Sequence, residues 1–264
     1  MTVITLLTDF GIRDGYSGVI KGVIWGIAPD VQIADISHSI NPQDIIEGAL
    51  TLARTAFFFP SGTIHVAVVD PGVGTARRPI GLKLGGQNFI GPDNGIFTLV
   101  LERAEANNEN VQIIHLDKRN YWLPEISNVF HGRDIFAPCA AHLAMGVAMH
   151  DLGTLITDPL RLPIPKPQPT ESGGWYGQII HIDHFGNLST NLTVRQLKNI
   201  QDVRLSIKSE QIIGLVSTYG ERPPGTLVTL LDSTGSLSIS VVNGSAADLL
   251  NAHIGDQVEV NPKN

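Results

Sequence analysis

The sequence predicts an α/β fold, with a mostly parallel sheet that carries helices on both faces, followed by a smaller all-β barrel. Two observations predict this architecture. Apolar strand segments alternate with amphipathic helices over roughly the first 150 residues, which is typical of a covered parallel sheet. After a proline-rich stretch, the helices nearly vanish and short strands alternate with glycine, asparagine and serine turns. We therefore expect an α/β domain at 1–160, a semi-rigid linker at 161–174 and a β-barrel domain at 175–264.

The elements of the first domain follow from hydrophobic periodicity. Apolar residues that recur at three- and four-residue spacing predict a helix over residues 16–28. Further helices are predicted over residues 41–57, 97–104 and 135–149, the last of them rich in small residues. Short apolar runs predict strands over residues 3–8, 31–36, 64–70, 80–84, 88–90 and 111–116. Asn41 followed by Pro42 is typical of an N-cap and the first helical position, so we expect the second helix to begin there.

The elements of the second domain are short strands separated by turns. The predicted strands cover residues 176–182, 203–208, 212–218, 227–231, 237–242 and 257–260. Only residues 195–199 are expected to form a helical turn. This pattern is typical of a small barrel or sandwich.

Composition and charge exclude several classes of protein. An apolar content of 42% with 16% charged residues indicates a globular chain and excludes a disordered one. The net charge of −7 argues against a nucleic-acid partner and against an anionic membrane partner. No run of 18 apolar residues is present, so no membrane span is expected. The single cysteine, Cys139, excludes a disulfide framework and suits a cytoplasmic location.

One loop carries the strongest candidate for chemistry. A predicted buried strand ends at Asp70, a Pro-Gly-x-Gly turn follows, and two arginines, Arg77 and Arg78, come next. An acidic residue at the carboxyl end of a buried strand is where open α/β sheets build their sites. The alternative is a tight turn in which Asp70 caps its own backbone and the arginines are solvated. The doubled arginine beside the carboxylate favours a functional site.

Three further polar side chains of the first domain are candidates. Asp9 ends the first predicted strand, and Asp14 lies in the same loop, where carboxylates commonly bind ribose hydroxyls or an ammonium group. The alternative for Asp14 is an N-cap of the following helix. His131 lies in a polar loop with Gly132, Arg133 and Asp134 (131–134), and its alternative is a satisfied surface histidine.

The second domain offers a candidate binding surface. Phe185 lies between Asp183 and Asn187, which places a stacking face beside polar groups, as a purine or another flat ring requires. The alternative, which the local pattern favours, is an Asx-type turn with Phe185 in the core. Ser233 and Thr234 occupy an ordinary turn unless they face the same pocket.

Several common sites are not indicated. No spacing typical of metal ligands, no P-loop and no Gly-x-Ser-x-Gly elbow is present. The pair Gly72 and Gly74 lacks the third glycine of a dinucleotide fingerprint. His38, His65 and His115 sit beside or within predicted strands and are interpreted as structural. We therefore expect no metal and no cofactor.

Five motifs, in order and spread over both domains, together carry a resemblance. They are Thr8-Asp9-Phe10-Gly11, Val69-Asp70-Pro71-Gly72-Val73-Gly74-Thr75, Gly91-Pro92-Asp93-Asn94-Gly95, Phe130-His131-Gly132-Arg133-Asp134 and Asp183-His184-Phe185-Gly186-Asn187. The chain resembles the S-adenosyl-L-methionine (SAM) hydroxide adenosyltransferases, hydrolase relatives of the SAM-dependent fluorinase and chlorinase. The resemblance implies an α/β domain followed by a β-barrel, and a homotrimer that binds SAM between neighbouring subunits.

The resemblance also implies residue roles. Asp70, Arg77 and His131 correspond to the family's water-handling triad, and the spacing from Asp70 favours Arg77 over Arg78. The implied substrate contacts are Asp9 to the ribose diol, Asp14 and Asp183 to the methionine ammonium, Phe185 and Asn187 to adenine, and Ser233 and Thr234 to the methionine carboxylate. Thr234 stands where the fluorinase has an arginine, which weakens a charge-based carboxylate clamp.

The same comparison of residues separates hydrolysis from halogenation. Asp70 stands where the halogenases carry a tyrosine, and a carboxylate there repels halide and orients or deprotonates water. We therefore expect hydrolysis of SAM at C5′ to adenosine and L-methionine, with SAM as the substrate and no cofactor. Two alternatives stay open at this point: a SAM-dependent chlorinase and a non-catalytic SAM or adenosine sensor.

Overall fold

The computed structural model describes residues 2–197 and 203–262. The chain divides into two compact units, Met1–Leu162 and Pro163–Asn264. Residues 163–174, which the sequence assigns to a linker, group with the second unit. The domain limits at 160 and 175 stay a prediction. Across the described residues, no helix combines the length and the apolar content that crossing a membrane requires.

The first unit contains strands and helices in alternation. Its strands are β1 (Val3–Thr8), β2 (Gln32–Ser37), β3 (Ile64–Val68), β4 (Pro79–Leu84), β5 (Gln87–Pro92), β6 (Gln112–His115) and β7 (Thr154–Leu155). Its α-helices are α1 (Tyr16–Ile27), α2 (Ile45–Thr55), α3 (Thr98–Ala106) and α4 (Ala137–Ala144). Short 3-10 turns lie at Ala56–Phe58, Arg119–Tyr121 and Met149–Leu152, and a π-helical turn at Gly132–Phe136 runs into α4.

The strands of this unit form one mixed sheet in the order β2-β1-β3-β5-β4-β6-β7. The first four pair in parallel, whereas β4 is antiparallel to β5 and β6, and β7 is antiparallel to β6. Within residues 2–162, five of the seven strands therefore run in the same direction. The prediction of a mostly parallel sheet is confirmed.

Helices cover both faces of this sheet because the central strands are apolar on both sides. Leu6 and Val68 pack in a core with residues of α1 and α4. Leu7 and Ala67, their neighbours along the strands, pack in a second core with residues of α2 and α3. Successive side chains of a strand point to opposite faces, so each strand supplies both cores.

Two predicted helix limits are wrong. The N-cap of α2 is Asp44, whose carboxylate accepts a hydrogen bond from the Glu47 amide at 2.9 Å, and not Asn41. Gln43 has φ 67°, a left-handed conformation that excludes it from a helix, so the chain turns before α2 begins. The helix predicted to reach residue 149 ends at Ala144, because Gly146 takes φ 98° and terminates it.

The second unit is an antiparallel β-barrel. Its strands are β8 (Gln168–Pro169), β9 (Trp175–Ile182), β10 (Leu188–Thr193), β11 (Val203–Ile207), β12 (Glu210–Ile213), β13 (Leu227–Leu231), β14 (Ser236–Val241) and β15 (Gln257–Pro262). The order is β12-β11-β15-β9-β10-β14-β13, and β8 pairs with β9. The backbone amide of Val216, just after β12, donates to Thr229 of β13 at 2.9 Å, so the two edge strands meet and nearly close the barrel. The prediction of an all-β barrel is confirmed.

Some elements of this unit differ from the prediction. The strand expected over 212–218 ends at Ile213, since Gly214 takes φ 82°. Two short helices, α5 (Val194–Leu197) and α6 (Ala246–Leu250), are present. The helical turn predicted at 195–199 coincides with α5 as far as Leu197, and its last two residues lie outside the described residues.

Candidate active site

The two central parallel strands end beside each other at one edge of the sheet. Thr8, the last residue of β1, pairs with Val68, the last residue of β3. Asp9 follows the first directly, and Asp70 follows the second after one residue. The carboxyl edge of a parallel sheet therefore carries both predicted carboxylates, at the place where such sheets bind ligands.

The loop after β3 depends on one glycine. Gly74 has φ 77°, and a Cβ atom there would lie 2.1 Å from the carbonyl oxygen of Asn128. The loop is closed by the Thr75 amide and hydroxyl, which donate to the Gly72 carbonyl at 3.2 and 2.7 Å. Close backbone contact at Gly74 thus fixes the turn that returns the chain to Arg77.

Asp70, Arg77 and His131 form a continuous cluster. Arg77 Nε donates to Asp70 Oδ1 at 3.1 Å, and Arg77 Nη2 bonds both Asp70 Oδ2 and, at 3.1 Å, His131 Nδ1. The side chains of Asp70 and Arg77 are only 5% and 6% exposed. The structure therefore brings together the three residues predicted to handle water, although 54 positions separate Arg77 from His131.

The protonation states of this cluster follow from burial and from the guanidinium. Burial raises the pKa of Asp70, and the charge of Arg77 lowers it only in part. Burial and the Arg77 charge both lower the pKa of His131. Since a guanidinium only donates, His131 Nδ1 accepts, and the neutral ring carries its proton on Nε2. The cluster therefore offers an acceptor oxygen of Asp70 beside an imidazole N–H donor of His131, which suits the orientation of a water molecule.

Arg78 has a different environment from Arg77. Its Nε and Nη2 donate to Asp93 Oδ2 at 2.9 and 2.6 Å, and its Nη1 donates to Asp158 Oδ1 at 3.0 Å. Asp93 is buried and also accepts from the Leu160 amide at 2.8 Å. Arg77, which the spacing from Asp70 favours, is thus the arginine in contact with Asp70. Arg78 instead stabilises the start of β4 through its ion pairs with Asp93 and Asp158.

His131 is held by a π-helical turn. This turn, Gly132–Phe136, is a conformation that occurs frequently at functional sites. Within it, Asp134 is fully buried and accepts hydrogen bonds from Arg133 Nε at 2.6 Å and from the Ser127 amide at 2.8 Å. Asp134 therefore anchors the preceding loop, whose Asn128 carbonyl touches Gly74.

The other two carboxylates of the first unit are less constrained. Asp9 Oδ2 accepts from the Gln43 amide at 2.8 Å. Asp14 is exposed, and it does not cap α1, whose N-cap is Gly15 without a side-chain bond. The interpretation of Asp14 as an N-cap is therefore wrong, and its carboxylate is accessible to solvent.

In the turn at Asp183 of the second unit, the Asp183 carboxylate accepts hydrogen bonds from residues of the same turn. Asp183 Oδ1 accepts from the amides of Phe185 and Asn187 at 2.9 and 2.8 Å, and Oδ2 accepts from Asn187 Nδ2 at 2.8 Å. The Asx-type turn is confirmed. Phe185, however, is 73% exposed, so the interpretation that places it in the core is wrong.

A cleft of about 560 Å³ lies beside this turn. Its lining comprises Asp183, Phe185, Asn187, Tyr219, Val241, Asn243 and Gly244. Tyr219 is not among the residues predicted from the sequence, and its local signal is an aromatic side chain within a Thr218–Glu221 capping box. The cleft brings together three of the predicted substrate residues.

Ser233 and Thr234 lie in the turn between β13 and β14. The Thr234 hydroxyl donates to Asp232 Oδ1 at 2.6 Å, and both residues are exposed. The described lining of the cleft does not include them. Their predicted contact with a substrate carboxylate stays a prediction.

Two buried histidines have structural environments, as expected. His38 Nδ1 and His65 Nδ1 share hydrogen bonds with the hydroxyls of Thr8 and Thr5, at 2.8 and 2.7 Å. Burial lowers the pKa of His65 to about 4, so this ring is neutral at neutral pH. Over residues 2–197 and 203–262, no group of three or more histidine, cysteine or acidic residues is arranged to hold a metal ion.

The fold and the site define a class of protein: an α/β sheet with a hydrogen-bonded Asp–Arg–His cluster at its carboxyl edge, followed by an antiparallel barrel. Comparison with known families gives the particular member of this class. A profile described as the SAM hydroxide adenosyltransferase N-terminal domain matches residues 4–153, and the C-terminal domain profile matches residues 177–259. The chain belongs to the SAM hydroxide adenosyltransferase family.

Individual relatives agree with this family. The chain is 37% identical to an (R)-S-adenosyl-L-methionine hydrolase of Salinispora tropica, over 97% of each chain. It is 30% identical to a fluorinase of an Actinoplanes species, over 72% of this chain and 71% of the fluorinase. Among solved structures, an uncharacterized conserved protein from Thermotoga maritima matches with a TM-score of 0.90 and 35% identity, over 98% of this chain and 99% of that one.

Proposed function

We propose that this protein hydrolyses SAM at C5′ and releases adenosine and L-methionine. One observation carries the proposal: the hydrogen-bonded contact among Asp70, Arg77 and His131 in a chain of this family. The Salinispora tropica relative, which covers nearly the whole chain, bears the name of a SAM hydrolase and supports the same reaction.

The proposed reaction is an in-line substitution by water. The water oxygen forms a bond to C5′ while the C5′–S bond breaks. The electron pair of the C5′–S bond stays on sulfur, which leaves as the neutral thioether of methionine. The water proton passes to Asp70 and then to solvent, while the His131 Nε2–H and Arg77 orient the water. Positioning of this kind supplies up to about 7–11 kcal/mol in the best cases, and a base adds roughly 10²–10⁴-fold.

The proposed substrate contacts use both units. Asp9 binds the ribose diol, and Asp14 with Asp183 binds the methionine ammonium. Phe185 stacks on adenine beside the amide of Asn187. Their support is the exposed Phe185 ring and the cleft beside it, together with the family resemblance. The contacts of Ser233 and Thr234 (233–234) with the methionine carboxylate rest on the resemblance alone.

The proposed chemistry needs neither a metal nor a cofactor, because the sulfonium of SAM already activates C5′. We expect full activity after treatment with a chelator. The cytoplasmic location and the absence of a nucleic-acid partner stay predictions from the single cysteine and the net charge of −7.

One incubation separates the proposed function from its alternatives. Purified protein is incubated with SAM, with and without chloride, and the products are separated by chromatography. Adenosine formed without chloride supports hydrolysis, whereas 5′-chloro-5′-deoxyadenosine indicates a chlorinase. SAM binding without turnover indicates a sensor. Either of the last two results contradicts the proposed function.

We further propose a homotrimer in which each active site is shared between neighbouring chains. The motivation is that the candidate residues divide between the units, with Asp70 in the first and Asp183 in the second. A ring that joins one chain's first unit to its neighbour's second unit is a closed heterologous assembly.

A mixing experiment tests the shared site. Asp70→Ala and Asp183→Ala chains are each expected to be nearly inactive alone. After co-refolding in equal amounts, about a quarter of the interfaces in a random ring combine two wild-type halves, so activity rises to about that share. If mixed trimers are confirmed by mass and activity stays at the level of the single variants, each site lies within one chain.

A further inference from the structure

Two buried histidines of the first unit make the same contact with strand β1. His38 Nδ1 lies 2.8 Å from Thr8 Oγ1, and His65 Nδ1 lies 2.7 Å from Thr5 Oγ1. All four residues are buried. The two pairs differ in their place in the fold, because Thr5 lies within β1 whereas Thr8 is its last residue. Only His38 therefore contacts the residue directly before Asp9.

His38 holds the backbone of the loop after β1 at two points. The Phe10 amide donates to Thr8 Oγ1 at 3.2 Å, and this hydroxyl is the one that bonds the His38 ring. The Gly11 amide donates to the His38 carbonyl oxygen at 2.7 Å. The two residues that follow Asp9 are thus fixed, one through the His38 side chain and one through its backbone. A substitution of His38 removes only the side-chain contact.

The Asp9 carboxylate is held by the same connection between β2 and α2. Its Oδ2 accepts from the Gln43 amide at 2.8 Å. Gln43 has φ 67°, a conformation that is costly for a residue with a side chain and that persists only where the surroundings enforce it. The connection that begins at His38 therefore fixes both the backbone beside Asp9 and its side chain.

The His38 ring is itself held in one orientation. Its Nε2 lies 3.1 Å from Asp35 Oδ1, and Asp35 Oδ2 binds Lys21 Nζ at 2.6 Å. Since a carboxylate only accepts, the neutral form of the ring carries its proton on Nε2, and Nδ1 accepts from the Thr8 hydroxyl. Thr8 Oγ1 then keeps a lone pair for the Phe10 amide. Every donor in this series points away from the loop and toward Asp35.

We propose that His38 is a positioning residue for Asp9 in ribose binding. It acts through the Thr8 hydroxyl, which fixes the loop backbone so that the Asp9 carboxylate faces the ribose diol. The proposal rests on the proposed contact of Asp9 with that diol. A hydrogen bond weakens steeply as its angle departs from linearity, so a small shift of the loop is sufficient to weaken the contact.

Two ligands isolate the diol contact. Adenosine carries the ribose diol, whereas 2′,3′-dideoxyadenosine keeps the base and lacks both hydroxyls. The ratio of their dissociation constants, measured by calorimetric titration, is the diol preference. In the wild type this preference should be about tenfold or more, the usual effect of a hydrogen bond to a charged group. Adenosine is the proposed product, so the measurement does not depend on turnover.

Variants of matched size test the route through Thr8. His38→Leu and Thr8→Val each remove the polar contact and should reduce the diol preference to less than about threefold, with dideoxyadenosine affinity changed by less than about twofold. The double variant should lose no more than either single one, because both act on one hydrogen bond. His38→Asn, whose amide oxygen replaces Nδ1 as the acceptor, should restore most of the preference.

His65→Leu is the matched control. It removes the equivalent bond to Thr5 within β1, away from the Asp9 loop. This variant should unfold at lower urea concentration and keep the wild-type diol preference. Thr8→Val keeps the test decisive if His38→Leu does not fold, because it removes the same bond from the other side.

Each result supports or overturns the proposal. A preference that falls in His38→Leu and Thr8→Val, returns in His38→Asn and persists in His65→Leu supports it. An unchanged preference in His38→Leu would overturn it and leave the Asp9 contact intact. Equal losses of affinity for both ligands would show that His38 only stabilises the fold. No preference in the wild type would overturn the Asp9 contact as well, while SAM hydrolysis is judged separately from adenosine formation.

Discussion

The Asp70 cluster and the Phe185 cleft are built in opposite ways. Asp70 and Arg77 are almost fully buried and bonded to each other across a loop held by backbone contact. Phe185, in contrast, projects into solvent from a turn whose carboxylate is used by its own backbone. The difference indicates that the proposed catalytic groups are already positioned before the substrate binds. The proposed binding surface, in contrast, is exposed to solvent.

Physical reasons favour this division. Hydrogen bonds and charges that act on a reacting water are most effective when they need no rearrangement and are shielded from solvent. Burial of Asp70 is tolerated because Arg77 pairs with it by two hydrogen bonds. A stacking surface for a flat ring must be accessible instead, and it gains its binding energy by becoming covered.

The largest expected effect is that of Asp70→Asn. An amide keeps the size of the side chain but removes the proton acceptor, so kcat should fall by about 10²–10⁴-fold. SAM affinity should change by less than about threefold, because the proposed role of Asp70 is in the reaction step. Adenosine formation gives kcat, and calorimetric titration gives the SAM dissociation constant.

Asp158→Asn is the matched control for this variant. Asp158 is an exposed aspartate that pairs with Arg78, and its loss should leave both constants unchanged. An Asp70→Asn protein with an unchanged kcat at saturating SAM but a much weaker SAM affinity would contradict the assignment and would place Asp70 among the substrate contacts.

Phe185→Ala should have the next largest effect, on binding and not on stability. Loss of stacking on a base costs about 1–3 kcal/mol, so affinity for both adenosine and SAM should fall by about 5–150-fold. The urea unfolding midpoint should stay within error, since the ring is mostly exposed. Leu249→Ala, an exposed apolar residue of α6, should change neither quantity. Unfolding at lower urea in Phe185→Ala would mean that the ring belongs to the barrel core.

The roles of Asp9 and Asp183 can be separated with conservative amides. Asp183→Asn keeps the oxygen that accepts from the amides of Phe185 and Asn187 but loses the charge. This variant should lower the affinity for SAM by about tenfold and the affinity for adenosine by less than about twofold, because adenosine has no ammonium group. Asp9→Asn should lower the affinity for both ligands by similar factors, since both carry the ribose diol. Equal losses for both ligands in both variants would show that these roles are wrong.

Much of the fold is predictable because it depends on local apolar periodicity. Strands such as β1 and helices such as α1 are found within a residue or two, since a buried core requires a regular apolar pattern. The start of α2 is not predicted correctly, because Asn41-Pro42 fits an N-cap whereas the backbone of Gln43 is left-handed. The sequence pattern does not predict strand β10 for another reason: its buried polar residues Ser189 and Thr190 interrupt the apolar pattern.

The candidate site is predictable only in part. Asp70 and Arg77 share one loop, but their contact with His131 depends on the packing of a distant π-helical turn. Resemblance to a family, and not spacing, suggested that contact.

The smallest expected effect on turnover comes from the backbone that supports the cluster. In Gly74→Ala the new Cβ would meet the Asn128 carbonyl oxygen, 2.1 Å away, in a residue that already has φ 77°. Gly62→Ala is the matched control, because Gly62 has φ 88° and open space around it. Both variants carry the cost of a left-handed alanine, about 1–2 kcal/mol. Only Gly74→Ala must also move the loop that carries Arg77.

The two alanine variants therefore test whether the rigidity of the cluster matters. Both should unfold at lower urea concentration, and Gly74→Ala should unfold at the lower of the two. In Gly74→Ala kcat should also fall, by less than about tenfold, because a shifted loop displaces Arg77 from Asp70 by a fraction of an ångström. In Gly62→Ala kcat should stay at the wild-type value. An unchanged kcat in Gly74→Ala would mean that the cluster tolerates displacement, and that preorganisation does not distinguish it from the open cleft.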